Sequence, residues 1–119
     1  MSAQSNKELI IRLNEFFALG NVNAFLEYCS EDVRWGMMGT TPLVGIESVR
    51  EAMTAEEFSE PPIINVRNVI AEGDMVMAEG FMSMKKKDGS TFNADFCDIY
   101  KLKEGKIKEL NSYVVEQAK

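Results

Sequence analysis

The sequence predicts an α+β fold, with helices gathered on one face of a long-stranded, curled and largely antiparallel sheet. Three observations carry this expectation. Apolar residues recur at helical spacing before residue 56 and alternate at strand spacing after residue 62. The connections between the later strands are short and contain glycine, as antiparallel hairpins require.

The first helix is predicted over residues 5–19, where Leu9, Leu13, Phe16 and Phe17 fall at i, i+4, i+7 and i+8 with Ser5 as N-cap. Gly20-Asn21 stops it, which suits a residue of positive φ beyond the helix end. Asn23 is expected to cap a second short helix over 24–29, with Phe25 and Tyr28 three apart on one side. Ser30-Glu31-Asp32 breaks that helix and residues 33–38 read as a short strand. The Gly39-Thr40-Thr41-Pro42 segment is a loop. Gly45 opens a third helix over 46–55 with Ile46, Val49 and Met53 on one face, and Pro61-Pro62 ends the helical turn at 56–59. Strands follow over 63–71, 75–86, 91–102 and 106–115. Their turns are Glu72-Gly73-Asp74, Lys87-Asp88-Gly89-Ser90 and Lys103-Glu104-Gly105. Strands of ten or more residues must twist, so the sheet curls, and helices across its concave side can enclose a cavity.

A chain of 119 residues is expected to form one domain spanning 1–119. Apolar residues at 45% and charged residues at 27% are ordinary for a soluble globular protein. A net charge of −6 argues against nucleic acid as a partner, because neutralising phosphates takes clustered Lys and Arg. The single basic run, Lys85-Lys86-Lys87, reads as a solvated strand end. There is no histidine, and Cys29 and Cys97 lie far apart in a predicted helix and a predicted strand, so no metal site is expected. No nucleophile motif or glycine-rich phosphate loop is found, and no cofactor is implied. Without a basic leader or an apolar run near the ~20 residues of a membrane span, the expectation is a cytoplasmic protein with reduced thiols and no membrane partner.

The segment Thr91–Leu102 holds the most chemical information. It carries Asp95 and Asp98, three apart on a strand and therefore on opposite faces. Asp98 shares its face with Ala94, Phe96, Tyr100 and Leu102. An acid inside an apolar row is either a hydrogen-bonded structural group, with a backbone amide, Tyr28 or Tyr100 as partner, or a polar group at work in a pocket. Asp95 is expected to be exposed or at a subunit contact. Eight methionines mostly fill core. Met75 and Met77 lie on one strand face while Met82 and Met84 share parity with each other, and a bulge at Gly80 is the expected link between the two pairs.

The element order, together with Asp32-Val33-Arg34-Trp35, Pro42-Leu43-Val44-Gly45, Val69-Ile70-Ala71-Glu72-Gly73-Asp74 and Glu104-Gly105-Lys106-Ile107, resembles the SnoaL-like branch of the nuclear-transport-factor-2-like superfamily over about residues 7–116. That superfamily includes ketosteroid isomerases and polyketide cyclases. The resemblance implies a cone-shaped, cystatin-like α+β barrel with an apolar pocket, usually a homodimer packed through its outer sheet face. It places the Asp98 face inside, with Trp35, Met37, Phe58, Phe96, Tyr100, Leu110 and Val114 along the pocket. Cys97, Ile99, Asn111 and Tyr113 then point outward, where an apolar row needs covering. Ketosteroid isomerases combine a Tyr of the first helix, a proton-shuttling Asp of the first strand and a third acid that binds the oxyanion. Here the first two positions fall at Leu13 and near Met37, and only the third has a counterpart, Asp98. Steroid-isomerase chemistry by that route is not expected. Two classes stay open: an acid/base isomerase or cyclase of a small apolar molecule using Asp98, with Tyr28 or Tyr100 as a possible aid, or a non-catalytic binding or dimeric scaffold protein of the same fold.

Overall fold

The computed structural model describes residues 2–54 and 61–118. Helix α1 (Ala3–Ala18) begins two residues earlier than the predicted start at residue 5. Ser2, rather than Ser5, is the N-cap. The two serines close a capping box, the Ser5 amide donating to Ser2 Oγ at 3.0 Å and the Ser2 amide to Ser5 Oγ at 3.1 Å. Asn6 holds this extra turn in place. It is fully buried and donates through Nδ2 to the Gly73 carbonyl at the far end of the sheet. Gly20 follows the α1 cap with φ +75, the positive value a helix stop needs.

Helix α2 (Val22–Glu27) is capped by Asn21 and not Asn23: the Asn21 side chain accepts from the Ala24 amide. Its earlier end releases Cys29, which is the first residue of strand β1 (Cys29–Met37) instead of the end of a helix. The polar Ser30-Glu31-Asp32 segment, expected to end the helix ahead of a strand starting at Val33, already lies inside this strand. Strand β2 (Leu43–Val44) is a two-residue edge, and α3 (Ile46–Met53) packs against β1. The four later strands are β3 (Ile63–Glu72), β4 (Met75–Lys85), β5 (Thr91–Lys103) and β6 (Lys106–Glu116), close to their predicted limits.

The six strands run in the order β2-β1-β6-β5-β4-β3. All neighbours are antiparallel except β1 and β6, which pair in parallel with Trp35 beside Leu110 and Met37 beside Ser112. The sheet is thus mixed, and it curls without closing: β2 and β3 remain its edges. Register shifts show where it bends. Between Val66 and Asn68, β3 has one more residue than β4, so Arg67 is the bulge. Inward positions switch there from Ile64 and Val66 to Val69 and Ala71. The expected bulge at Gly80 is therefore on the neighbouring strand; β4 keeps unbroken register with β5 from Met75 to Lys85. Gly80 accommodates it, because a Cβ there would run into the Asn65 carbonyl oxygen and come within 2.9 Å of Val66 Cα. With β4 unbroken, Met82 and Met84 face inward and Met75 and Met77 outward.

The core sits between α1, α2, α3 and one end of the concave face. Ile10 and Leu13 of α1, Phe25 of α2, Val33, Val49, Val76, Tyr100 and Ile107 are all fully or almost fully buried there. Packing at this end leaves the opposite end of the concavity unfilled. Among the described residues, no helix is long and apolar enough to cross a membrane.

Candidate functional site

The unfilled end is a cavity of about 740 Å³ between the helices and the concave sheet face, within the size range of small-molecule sites. Its floor and walls come from alternate residues of three adjacent strands: Phe92, Phe96, Asp98 and Tyr100 of β5, Leu110, Ser112 and Val114 of β6, and Trp35 and Met37 of β1. Met82 and Met84 of β4 extend the apolar wall, and Asn14 and Phe17 of α1 close the helical side. Thr40 and Thr41 border it from the loop after β1. Of the pocket residues expected from sequence, Trp35, Met37, Phe96, Tyr100, Leu110 and Val114 border this cavity with Asp98. Phe58 lies outside the described residues. Tyr28 contributes to the core and is not among the lining residues.

Asp98 is the only carboxyl among the described lining residues, and none of them is a Lys or Arg. Its side chain keeps some open surface but is surrounded by protein, because the surface it keeps borders the cavity. Burial pushes its carboxyl up from 3.8 to about 6, and a hydrogen bond from Ser112 offsets part of that rise. Strand pairing sets Ser112 directly opposite Asp98. Ser112 is itself buried and accepts from Trp35 Nε1 at 3.1 Å. Tyr100 is completely buried beside Asn14. Burial raises its phenol well above the ordinary value, the nearby Asp98 charge adds to the rise, and a hydrogen bond with Asn14 opposes it. Asn14 Nδ2 also donates to the Ile10 carbonyl at 3.1 Å. Cys29, close to Tyr100, is raised to about 11 by burial, with Lys106 pulling the other way.

Ser112 and Asn14 were not singled out from sequence, although each leaves a trace there. Ser112 is a polar residue between Leu110 and Val114 on the inward parity of β6. Asn14 interrupts the apolar stripe of α1, four residues after Ile10 and three before Phe17. Asp95 is on the outer face, half-buried, where Arg67 Nη2 bridges it and Glu79 at 3.2 Å each. Among the described residues, no three His, Cys, Asp or Glu side chains cluster as metal ligands do.

Several solved structures share this architecture. An epoxide hydrolase/cyclase-like enzyme, SalBIII, described in pyran ring formation in the polyether salinomycin, superimposes with TM-score 0.84 at 19% identity, covering 94% of this chain and 92% of that one. A candidate SnoaL-like polyketide cyclase from Jannaschia gives TM-score 0.81 at 18% identity over 94% and 86%. An epoxide hydrolase from M. tuberculosis gives TM-score 0.84 at 10% identity over 95% and 84%. At these identities the likeness establishes the fold and nothing finer. A comparison with curated proteins gives no significant match. The family model described as the SnoaL-like domain matches residues 10–110, and the chain belongs to that family.

Proposed function

We propose that the cavity binds a small apolar molecule and that Asp98 transfers a proton to and from it, in an isomerase- or cyclase-type reaction. The observation that carries this is a carboxyl held in an apolar cavity and pushed up to about 6, where it is a working acid near neutral pH. The number of titratable groups narrows the reaction. Tyr100 is the only other one among the described lining residues, and burial keeps its phenol neutral. A single carboxyl can serve a reaction with no net proton change, giving a proton to one substrate atom and recovering one from another. A cyclisation of a hydroxy-epoxide has that property. The hydroxyl oxygen attacks an epoxide carbon, the carbon–oxygen bond of the ring breaks, Asp98 protonates the departing oxygen, and the hydroxyl proton returns to the carboxylate. The printed descriptions of two similar folds, a cyclase and an epoxide hydrolase/cyclase-like enzyme, fit this class.

The test is cyclisation of 4,5-epoxydecan-1-ol, followed by gas chromatography. Turnover above the buffer rate is expected at pH 5.5, falling as pH rises through about 6 because the acid form is the active one, and vanishing in Asp98→Asn. The absence of a second acid or base among the described lining residues favours a second reading, a non-catalytic binding protein. That reading predicts no turnover at any pH with ligand binding intact.

A homodimer through the outer sheet face belongs to the same proposal. Ile70, Met75, Tyr113 and Val115 are exposed there, next to half-buried Met77, Phe81, Cys97 and Ile99. Sedimentation at micromolar concentration is expected to give about twice the 13.4 kDa chain mass, and Tyr113→Lys to shift it toward the monomer. A parent protein that sediments as a monomer would count against the dimer.

A further inference from the structure

The basic run Lys85-Lys86-Lys87, read from sequence as a solvated strand end, is divided by the strand it ends. Inward positions of β4 alternate through Met82 and Met84, and the next residue of that parity is Lys86. Its amide donates to the Ser90 carbonyl at 2.8 Å, which carries the pairing of β4 and β5 one step beyond Lys85. Lys85 has the outward parity and Lys87 opens the turn, and both are exposed. Lys86 is half-buried, with its ammonium 5.9 Å from the centroid of the Phe92 ring. Phe92 and Met84 are wall residues of the cavity. Along β5 from the core, Tyr100 is fully buried and Phe92 only half-buried, so this ring stands at the cavity rim. None of the ion pairs among the described residues involves Lys86. Asp88 is close in sequence, but its Oδ1 already accepts from the Ser90 amide at 2.8 Å and the Ser90 hydroxyl at 2.6 Å. Those bonds, and more weakly the Lys86 charge, hold Asp88 below the ordinary carboxylate range.

We propose that Lys86 is a head-group subsite at the cavity rim, and that the ligand is an amphiphilic anion with its apolar body along the walls and its one charged group at Lys86. The orientation has a single sense. The described lining residues hold no Lys or Arg to neutralise an anion farther in, and the acid met on that path is Asp98. Asp98 and Phe92 are six residues apart on β5, about 20 Å along the strand. A ligand that reaches both is therefore long, with its charge at one end and its apolar end toward Asp98. The subsite rests on the reading of the cavity as a ligand site and extends that reading to the rim.

Decanoate and 1-decanol share a chain length and differ in charge at pH 8, and together they test the subsite. Binding of each is read from the emission of Trp35, the sole tryptophan and a wall residue. Lys86→Gln keeps a polar side chain and removes the charge. In that variant decanoate should bind about tenfold more weakly, while decanol stays within about twofold of the parent protein. Lys86→Arg should restore decanoate binding, because it returns the charge to the same place. Decanoate bound equally well by Lys86→Gln and the parent would overturn the subsite and leave the cavity reading standing, since decanol would still bind. An equal loss for both compounds in Lys86→Gln would make Lys86 a support for the wall and would also overturn the subsite. If neither compound binds the folded parent protein, the cavity reading falls, and the subsite with it.

Discussion

Asp98→Asn is expected to be more stable than the parent protein at pH 8, by up to about 3 kcal/mol. That is the free energy of moving a carboxyl from 3.8 to about 6. The direction follows from which state holds the proton. Below 3.8 both the folded and the unfolded chain carry it, and the carboxyl makes no difference to folding. Between 3.8 and about 6 the unfolded chain ionises while the folded chain keeps its proton, so folding becomes progressively less favourable. Above 6 both are ionised and the folded state bears the whole cost of a buried charge, which Ser112 opposite it only partly offsets. Asn keeps the Ser112 bond without the charge. Urea unfolding of both proteins should show the gain at pH 8 and none at pH 3.5. Asp98→Leu should be tolerated or gain less, since it also leaves the Ser112 hydroxyl without its acceptor. A loss of about 1–3 kcal/mol in both variants at pH 8 would mean that Asp98 holds the fold together and would sink its reading as a proton donor.

Gly80→Ala is expected to lose about 3 kcal/mol, the upper end of ordinary overpacking, because the added methyl meets backbone that has no rotamer to turn aside. The Asn65 carbonyl and Val66 Cα lie there because β3 carries the Arg67 bulge opposite. Arg67 fixes the outer side of that bulge through Glu79, Asp95 and the Gly80 carbonyl. Relieving the clash would mean moving β3, whose Ile64 lines the cavity. The substitution should therefore also shift Trp35 emission. A change below about 0.5 kcal/mol in urea unfolding would show that the bulge yields freely.

The strands were legible wherever one face is buried, since alternation fixes facing residues without knowledge of neighbours. That is how Phe96, Asp98 and Tyr100 could be put on one side of β5. Features set by other parts of the chain were not legible. Ser2 and Ser5 are equally good caps locally, and the choice is supported by the bond from Asn6 to Gly73, distant in sequence. Ser30-Glu31-Asp32 has the composition of a break, and within β1 it is the stretch that falls out of register with β6, between Cys29 beside Ile107 and Arg34 beside Glu109. The methionine parities were misleading: β4 is unbroken, so the two pairs simply face opposite sides of the sheet, and the extra residue is in β3, where nothing in the β4 sequence marks it. Ser112 gains its meaning only opposite Asp98 and beneath Trp35, contacts made by three strands together.

The parallel pairing of β1 with β6 has a consequence for how the protein is made. Trp35 and Ser112 are 77 positions apart, and the strands between them form a consecutive antiparallel series, β3-β4-β5-β6. That series can assemble by hairpins as the chain emerges from the ribosome, whereas β1 must wait for a strand synthesised much later. The Asp98 carboxyl acquires its partner when β6 joins β5, but the indole reaches that serine only when β1 docks. Binding competence is thus expected to appear in the slowest phase of refolding, after most of the sheet has formed, with the burial of Trp35 as its optical signal.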